Sequence, residues 1–382
     1  MSPIDHILLY SLLYFMFWYY DVLRQTSSVS GNTKKILKFS CLLSFIFVEG
    51  LRYGRGRDYF HYGDMYLRNT TDTEQPLFEL LQNVVHYIDI TIGFLPYGIC
   101  YIVYALIFVC CLFKFSTLFY KTTSAFLLLA ILATQYITEW TIRQGISFSF
   151  VLIALYFLER NKKKECVVNI CIALGFHYAN FFLIGLIFIC KFLLNKTPVS
   201  LKLSIPCLLI TTFILKSEYS LPYIASIVSI FDLSFLGEGF SHYTNSERWF
   251  SENGILVEMQ RSLFTTILTT IFYISVFVVG YFYHLQNKKW IYIYNLYVIS
   301  VLLYTPFYLV EILARILYPG TVFWFIPLSL SLHEKKKLMR NKYLLWALYC
   351  IILYLLTYYG RFVFMHPTAS FIWSMKPTSF YF

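Results

Sequence analysis

The sequence predicts an all-α, polytopic integral membrane protein. Of its 382 residues, 58% are hydrophobic and 21% aromatic, and only 13% are charged, against roughly 25% in soluble domains. Apolar runs of about 17 to 25 residues, the length of a membrane-spanning helix, recur along the whole chain. Lysines cluster between these runs, where they act as orientation signals and headgroup contacts. The net charge of +11 therefore needs no nucleic acid as a partner.

The positions of the lysine clusters order the apolar runs into about ten crossings of the bilayer. The predicted spans are residues 4–20, 37–50, 93–113, 122–137, 141–158, 201–215, 262–283, 290–310, 318–332 and 343–359. The basic segments between them are assigned to the cytoplasm, so both termini are predicted to be extracytoplasmic. Residues 1–382 are treated as a single multi-span domain, and residues 217–260 as a long outer loop within it.

Two segments are predicted to depart from simple spans. Residues 76–90 form an amphipathic helix at the interface. Residues 166–194 carry basic clusters at both ends and the polar pair His177-Tyr178 near the centre. A re-entrant pair of short helices with His177 near the bend keeps both clusters in the cytoplasm. The alternative, one long span, would place one of the clusters outside.

The sequence lacks the signatures of metal, disulfide or soluble nucleotide chemistry. All nine cysteines fall in apolar runs and form no CxxC pair, so we predict neither structural disulfides nor a metal site. No P-loop, GxSxG or HExxH motif occurs, and no cofactor is predicted. The first apolar run lacks a basic n-region and a cleavage site, so it is expected to remain as the first membrane helix.

Arginines, in contrast, are concentrated on the predicted outer side. The stretch Arg52-Tyr53-Gly54-Arg55-Gly56-Arg57-Asp58-Tyr59 follows the second span, and its glycines let main-chain N–H groups approach an anion. Arg143 lies in the first helical turn after Thr141, its predicted N-cap, where the helix dipole favours an anion. Arginine grips phosphate through a planar fork of donors. These residues and Arg315 predict a site for a lipid-linked phosphate or diphosphate.

For each arginine the alternative is an interfacial side chain that reaches lipid headgroups. This alternative weighs most for Arg248 and Arg261. A group transfer from a diphosphate also needs a base, and the candidates are Asp58, Glu139, His177 and Glu311. Asp58 equally suits an ion pair with its neighbours, and a lone histidine equally suits a hydrogen bond between helices.

The order of these motifs resembles the EpsG family of bacterial polysaccharide polymerases, which is related to the Wzy-type O-antigen and capsule polymerases. The matching residues are the arginine-glycine stretch, Arg143-Gln144-Gly145 at the start of a middle span, Phe176-His177-Tyr178, and Ala314-Arg315 followed by Tyr318. The resemblance covers the chain from the second span to the tenth. One departure is Arg57, which stands immediately before Asp58 where small polar residues are common in the family, so the identity of the clamping arginine stays open.

The resemblance implies a glycosyltransferase in the bacterial cytoplasmic (inner) membrane that uses undecaprenyl-diphosphate-linked oligosaccharide on the outer face. It implies no nucleotide sugar and no metal, and it implies a chain-length regulator and a flippase as neighbouring partners. Asp58 and His177 would be catalytic. The implied diphosphate- or substrate-binding residues are Arg52, Arg55, Arg57, Arg143, Gln144 and Arg315.

Three other functions are compatible with parts of the sequence. A flippase or exporter of lipid-linked oligosaccharide could use the same outer arginines, but such proteins usually have more spans and a two-half organisation. A membrane acyltransferase that modifies polysaccharide could use His177 as its base, yet would leave the outer arginines without a purpose. A structural scaffold is the broadest alternative.

Overall fold

The computed structural model describes most of the chain as helix. The described residues are 3–53, 59–68, 75–92, 98–119, 125–215, 262–308, 311–334, 340–364 and 370–371. The predicted outer loop 217–260, with Arg248, lies outside them, as does Arg261. The predicted site residues Arg55, Arg57 and Asp58 also lie outside the described residues.

The chain divides into two compact units. The first comprises Met1–Asn180 with Tyr358–Phe382, and the second comprises Phe181–Thr357. The helices of the first unit are α1 Pro3–Gln25, α2 Gly31–Phe45, α3 Tyr59–Arg68, α4 Pro76–Ile92, α5 Gly98–Ser116, α6 Phe126–Trp140, α7 Ile142–Glu159 and α8 Lys163–Phe176. A π-helical turn, Ile46–Gly50, extends α2, and a 3₁₀ turn, Thr117–Phe119, extends α5. The strands β1 (Arg52–Tyr53) and β2 (Ser370–Phe371) pair antiparallel.

The remaining helices carry the chain through the second unit. They are α9 Asn180–Leu193, α10 Leu201–Leu209, α11 Leu263–His284, α12 Ile291–Phe307, α13 Glu311–Thr321, α14 Phe325–His333 and α15 Lys342–Phe364. A second π-helical turn, Ile210–Ile214, extends α10, and a 3₁₀ turn, Val322–Trp324, joins α13 to α14. The last turns of α15 belong to the first unit.

Five segments among the described residues are long and apolar enough to cross a membrane. They are Ile99–Phe119, Ile142–Glu159, Leu263–His284, Leu313–His333 and Lys342–Gly360. Shorter apolar helices are Phe126–Trp140, Asn180–Leu193, Leu201–Ile214 and Ile291–Phe307. The helical membrane architecture predicted from composition is thus confirmed, and the count of about ten crossings stays a prediction.

A buried ion pair fixes the start of α6 in the first unit. The Asp21 carboxylate on α1 accepts a hydrogen bond from the Leu127 N–H, in the first turn of α6, and pairs with Arg24 at 2.8 Å. Arg24 in turn donates to the Ser116 hydroxyl on α5 at 3.0 Å. The first N–H groups of a helix have no partner inside it. The Asp21 carboxylate supplies a hydrogen-bond partner for one of these N–H groups, and the Asp21–Arg24 pair joins α1, α5 and α6.

The structure describes both segments that are predicted to depart from simple spans. Residues 76–90 do form a helix, α4, whose buried residues Phe78, Gln82, Val85 and Asp89 lie on one face. The helix after Lys163 ends at Phe176, and the next begins at Asn180. Residues 166–194 are therefore two short helices with His177 at the break, and not one continuous helix.

In the second unit, close polar contacts hold the helix connections. The Asn295 side chain of α12 donates to the Leu194 and Thr197 carbonyls and accepts from the Val199 N–H at 2.8 Å. This amide fixes the segment between α9 and α10. A Cβ at Gly320 would overlap the Ser300 side chain, so the approach of α13 to α12 requires glycine there.

Candidate functional site

A sharp corner between α6 and α7 positions Arg143. The two helices are separated only by Thr141, whose backbone (φ −130°, ψ 66°) is not helical. Arg143 is in the first turn of α7, as predicted. Thr141 is the N-cap residue of α7, as predicted, but its side chain makes no capping hydrogen bond, because its hydroxyl donates backwards to the Ile137 carbonyl at 3.3 Å. A Cβ at Gly145 would lie 3.0 Å from the same carbonyl oxygen, so the corner is tight enough to favour glycine.

The Arg143 guanidinium is half-buried against two aromatic rings. Its Nε donates to the Tyr62 hydroxyl of α3 at 2.7 Å. Its Cζ lies 5.3 Å from the Tyr62 ring centroid and 5.8 Å from that of Phe78. The Nη groups make no hydrogen bond to any residue that the structure describes. The hydrogen bond from Nε thus orients the guanidinium, while its Nη donors stay available.

His177 is oriented by the residue that precedes α4. The Gln75 side-chain amide lies within 3.0 Å of His177 Nδ1, and Gln75 is buried at 6% exposure. The Phe78 N–H donates to the Gln75 carbonyl at 3.1 Å. The start of α4 therefore contacts both Arg143, through the Phe78 ring, and His177, through the Gln75 amide.

The packing of α7 against α8 sets Arg143 and His177 at the same end of this helix pair. The Ser147 hydroxyl of α7 donates to the Ala173 carbonyl of α8 at 2.6 Å. Arg143 precedes Ser147 by one helical turn, and His177 follows Ala173 by the same interval. Because the two helices contact each other antiparallel, both residues lie one turn beyond this contact. We call Tyr62, Gln75, Phe78, Arg143 and His177 the Arg143–His177 site.

Arg52, which the sequence predicts to bind diphosphate, is buried and bound by protein groups. It is 3% exposed. Nη1 pairs with the Glu49 carboxylate at 3.1 Å, and Nη2 donates to the Thr138 carbonyl at 3.1 Å. Thr138 lies in the last turn of α6, where carbonyls lack helical partners. Arg52 thereby ties the end of the second helix to the corner that carries Arg143.

Sequence reasoning missed Glu49, the buried partner of Arg52, as it missed Tyr62, Gln75 and Phe78 of the Arg143–His177 site. The carboxylates of Glu49 and Glu139 are both buried, and the Tyr10 hydroxyl lies 3.3 Å from the first and 2.8 Å from the second. The i, i+3 spacing of Glu49 and Arg52 was the available signal, since residues at that spacing can meet within a helical turn. Glu139, a candidate base from its sequence position, belongs to this buried network.

A small cavity lies beside the Glu49–Arg52 pair. Its volume is about 20 Å³, and its lining includes Tyr101, Thr138 and Gly145 beside the pair. A cavity of this size holds about one water molecule. The buried network therefore has room for solvent next to its charged groups, and none for a diphosphate.

The other predicted site residues lie in different surroundings. Gln144 is buried on α7 at 3% exposure. Arg315 lies in α13 of the second unit and is half-buried. Glu311 begins the same helix. Within the described ranges, no group of three or more His, Cys, Asp or Glu side chains could hold a metal ion.

Comparison with known proteins gives one match. The model of the EpsG family matches residues 35–374, and these residues include every member of the Arg143–His177 site. No curated protein and no solved structure matches the chain. EpsG is a family of Wzy-type, polymerase-like proteins. The family model covers nearly the whole sequence, and the chain belongs to the EpsG family.

Proposed function

We propose that this chain is a polymerase of surface polysaccharide: exopolysaccharide, capsule or O-antigen. It transfers an oligosaccharide from an undecaprenyl-diphosphate carrier to the next lipid-linked repeat unit. The bond between the anomeric carbon and the phosphate oxygen breaks, and the diphosphate leaves with the bonding electrons. A hydroxyl oxygen of the next unit bonds to the same carbon, and its proton passes to a base.

The observation that carries this proposal is the Arg143–His177 site. Arg143 presents guanidinium donors at the N-terminus of α7, where helix N–H groups and the dipole also favour an anion. The leaving diphosphate gains negative charge as its bond to the sugar breaks. Fixed donors aimed at that charge stabilise the transition state more than the substrate. Arg143 is oriented for this role by the Tyr62 hydroxyl.

His177 is the proposed base. Its ring is oriented by Gln75, and it lies at the same end of the α7–α8 pair as Arg143. A base for the acceptor hydroxyl must lie near the leaving group, because both act on one anomeric carbon. Asp58 is the second proposed catalytic residue on sequence grounds.

Of the other predicted ligands, four remain proposed substrate ligands and one is assigned another role. Arg55, Arg57 and Gln144 belong to the matching motifs and remain proposed substrate ligands, as does Arg315. For Arg52 we propose a positioning role, because its guanidinium is already bound by Glu49 and Thr138.

The proposed location is the outer face of the bacterial cytoplasmic membrane. The lysines between the helices support this orientation, since positive loops stay in the cytoplasm. Repeat units must reach that face before they are joined, so a flippase is an expected partner. A chain-length regulator is the other expected partner.

The proposal is tested by replacing Arg143 in cells that make the polysaccharide. Wild-type, Arg143→Ala and Arg143→Lys cells are compared at equal protein level, with surface polysaccharide resolved on gels and the lipid-linked pool measured by mass spectrometry. We expect Arg143→Ala to lose long chains while single repeat units accumulate on the carrier at the outer face. Arg143→Lys keeps the charge but loses the planar fork, so a partial loss is expected.

Two results would contradict the proposal. Unchanged long chains in the Arg143→Ala cells would remove this residue from the mechanism. Loss of long chains together with loss of outward-facing units would instead indicate a flippase.

A further inference from the structure

The second unit contains a cavity whose described lining residues all bear a side-chain hydroxyl. Each of these described residues is threonine or tyrosine, and they come from the π-helical turn after α10, from α11 and from the end of α12. Its volume is about 20 Å³, which accommodates one water molecule or one hydroxyl group of a ligand. We call it the hydroxyl cavity.

The hydroxyls that line the cavity keep the capacity to accept hydrogen bonds. Thr269 and Thr270 donate their hydroxyl protons to carbonyls one turn back in α11, at 2.8 Å each. A hydroxyl that donates in this way keeps lone pairs that can accept. Thr305 donates to the Thr211 hydroxyl at 2.8 Å. The wall is therefore polar although its helices are apolar overall.

The Thr212 hydroxyl on the wall has no hydrogen-bond partner among the described residues. Thr212 is 7% exposed, and its Oγ1 makes no hydrogen bond to the described part of the chain. A buried hydroxyl without a hydrogen-bond partner destabilises the fold. A ligand hydroxyl that enters the cavity would supply that partner.

The backbone conformation at Thr212 also indicates a functional position. Residues Ile210–Ile214 form a π-helical turn, closed by a hydrogen bond of 3.0 Å from the Leu215 N–H to the Ile210 carbonyl. Such turns insert one extra residue into a helix and are found frequently at functional sites. Here the turn carries Thr212 into the cavity wall.

The chemistry of the wall selects the class of ligand. None of the lining residues that the structure describes is charged, so among them neither a phosphate nor a cation would find a counter-charge. Hydroxyl groups donate and accept, and tyrosine rings offer apolar faces, which together suit a neutral sugar.

The position of the cavity along the helices agrees with this ligand. It lies at the end of α10, the first half of α11 and the end of α12. Lys202 near the start of α10, and Lys288 and Lys289 between α11 and α12, lie at the opposite helix ends, while one lysine, Lys216, follows the π-helical turn at the cavity end. The positive-inside rule then assigns the cavity to the extracytoplasmic side, where the sugars are joined.

We propose that the hydroxyl cavity is a subsite that binds one hydroxyl group of a neutral sugar in the lipid-linked oligosaccharide. The subsite rests on the proposed polymerase function, which supplies the sugar. It is separate in its chemistry from the Arg143–His177 site, which takes the anionic diphosphate.

The test uses the full chain purified in detergent and a sugar probe without phosphate. The probe is the repeat-unit oligosaccharide, released from its carrier by mild acid, and binding is measured by calorimetry. Thr212→Val and Thr270→Val remove one hydroxyl each at nearly constant volume, and we expect each to weaken binding about 3- to 10-fold. Thr212→Ser keeps the hydroxyl and is expected to retain most of the affinity.

A matched control is available on α15 of the same unit. The Thr357 hydroxyl donates one turn back, to the Leu353 carbonyl at 2.8 Å, as the Thr270 hydroxyl does in α11. Thr357 does not line the hydroxyl cavity. Thr357→Val therefore makes the same exchange away from the cavity and is expected to bind the probe as the wild type does.

The outcomes separate this subsite from the proposed polymerase function. Equal affinity of the wild type, Thr212→Val and Thr270→Val would overturn the subsite, as would a wild type that binds no probe or an equal loss in Thr357→Val. Arg143→Ala is expected to bind this phosphate-free probe normally, although it loses polymerisation. If only the Arg143 experiment in cells fails, the polymerase proposal is contradicted. If only the binding experiment fails, the subsite is contradicted.

Discussion

The Nε atom of Arg143 donates a 2.7 Å hydrogen bond to the hydroxyl of Tyr62. This contact joins the first turn of α7 to α3, a helix that follows the arginine-glycine stretch directly in the sequence. It orients a guanidinium whose remaining donors are not bound by the described residues. In the proposed mechanism, those donors bind the leaving diphosphate.

Removal of the Tyr62 hydroxyl should therefore slow polymerisation without unfolding the protein. Tyr62→Phe keeps the ring against Arg143 but removes the hydrogen bond, which for a charged donor is worth about 1.5–3 kcal/mol. We expect the polymerisation rate at limiting substrate to fall about 10-fold or more. Tyr87→Phe on α4, where the side chain is 73% exposed, is the control. Equal rates for both variants in membranes with equal protein level would contradict the role of Tyr62.

Gln75 should affect the polymerisation rate only through its contact with His177. Gln75→Leu removes the amide that contacts Nδ1, so we expect polymerisation to fall, although less than in His177→Ala. A double-mutant cycle separates the two residues, because residues acting through one contact are not additive. Gln75→Leu should have little further effect when His177 is already alanine. Additive losses in the double variant would show that Gln75 acts independently.

The buried Glu49–Arg52 pair should contribute more to folding than to ligand binding. Arg52→Met leaves the Glu49 carboxylate buried without its partner, which is expected to cost about 3–5 kcal/mol. A second change, Glu49→Gln, removes that charge and should recover part of the loss. Thermal unfolding of the detergent-purified protein measures the stability of the single and the double variant. A double variant that is less stable than Arg52→Met would contradict this account of the pair.

A methyl group at Gly145 should loosen the corner between α6 and α7. In Gly145→Ala the new Cβ would lie 3.0 Å from the Ile137 carbonyl oxygen, and overpacking of this kind costs about 1–3 kcal/mol. Gly185→Ala is the matched control, since a Cβ there meets nothing within 4 Å. We expect a lower unfolding temperature and less polymer for Gly145→Ala only. Similar behaviour of the two variants would show that the corner tolerates a side chain.

The features that the sequence predicts are those set by local pattern. The corner at Thr141 and the break at His177 follow from polar residues between apolar runs, and α4 follows from its helical periodicity. These patterns place Arg143 and His177 near helix ends. They do not bring the two residues together, because the Ser147–Ala173 contact that does so depends on how α7 packs against α8.

Burial of individual charges was harder to predict. Arg52 is the first residue of a charged cluster that predicts a water-facing loop, yet its side chain is buried. Burial is possible because the Glu49 carboxylate and the Thr138 carbonyl accept hydrogen bonds from its guanidinium. The carbonyl lies 86 residues away in the sequence, and no local pattern indicates such a contact. The 102-residue separation of Gln75 from His177 hides their contact in the same way.

In the proposed mechanism, Arg143 helps to release a carrier diphosphate as sugars are joined. The most direct test places the purified chain in vesicles with lipid-linked single repeat units from the same cells. Mass spectrometry then counts free undecaprenyl diphosphate against new sugar linkages. For the wild type we predict one diphosphate released per linkage, and for Arg143→Ala a large loss of both. Linkage formation by Arg143→Ala at the wild-type rate, or polymer growth in the wild type without diphosphate release, would contradict the account.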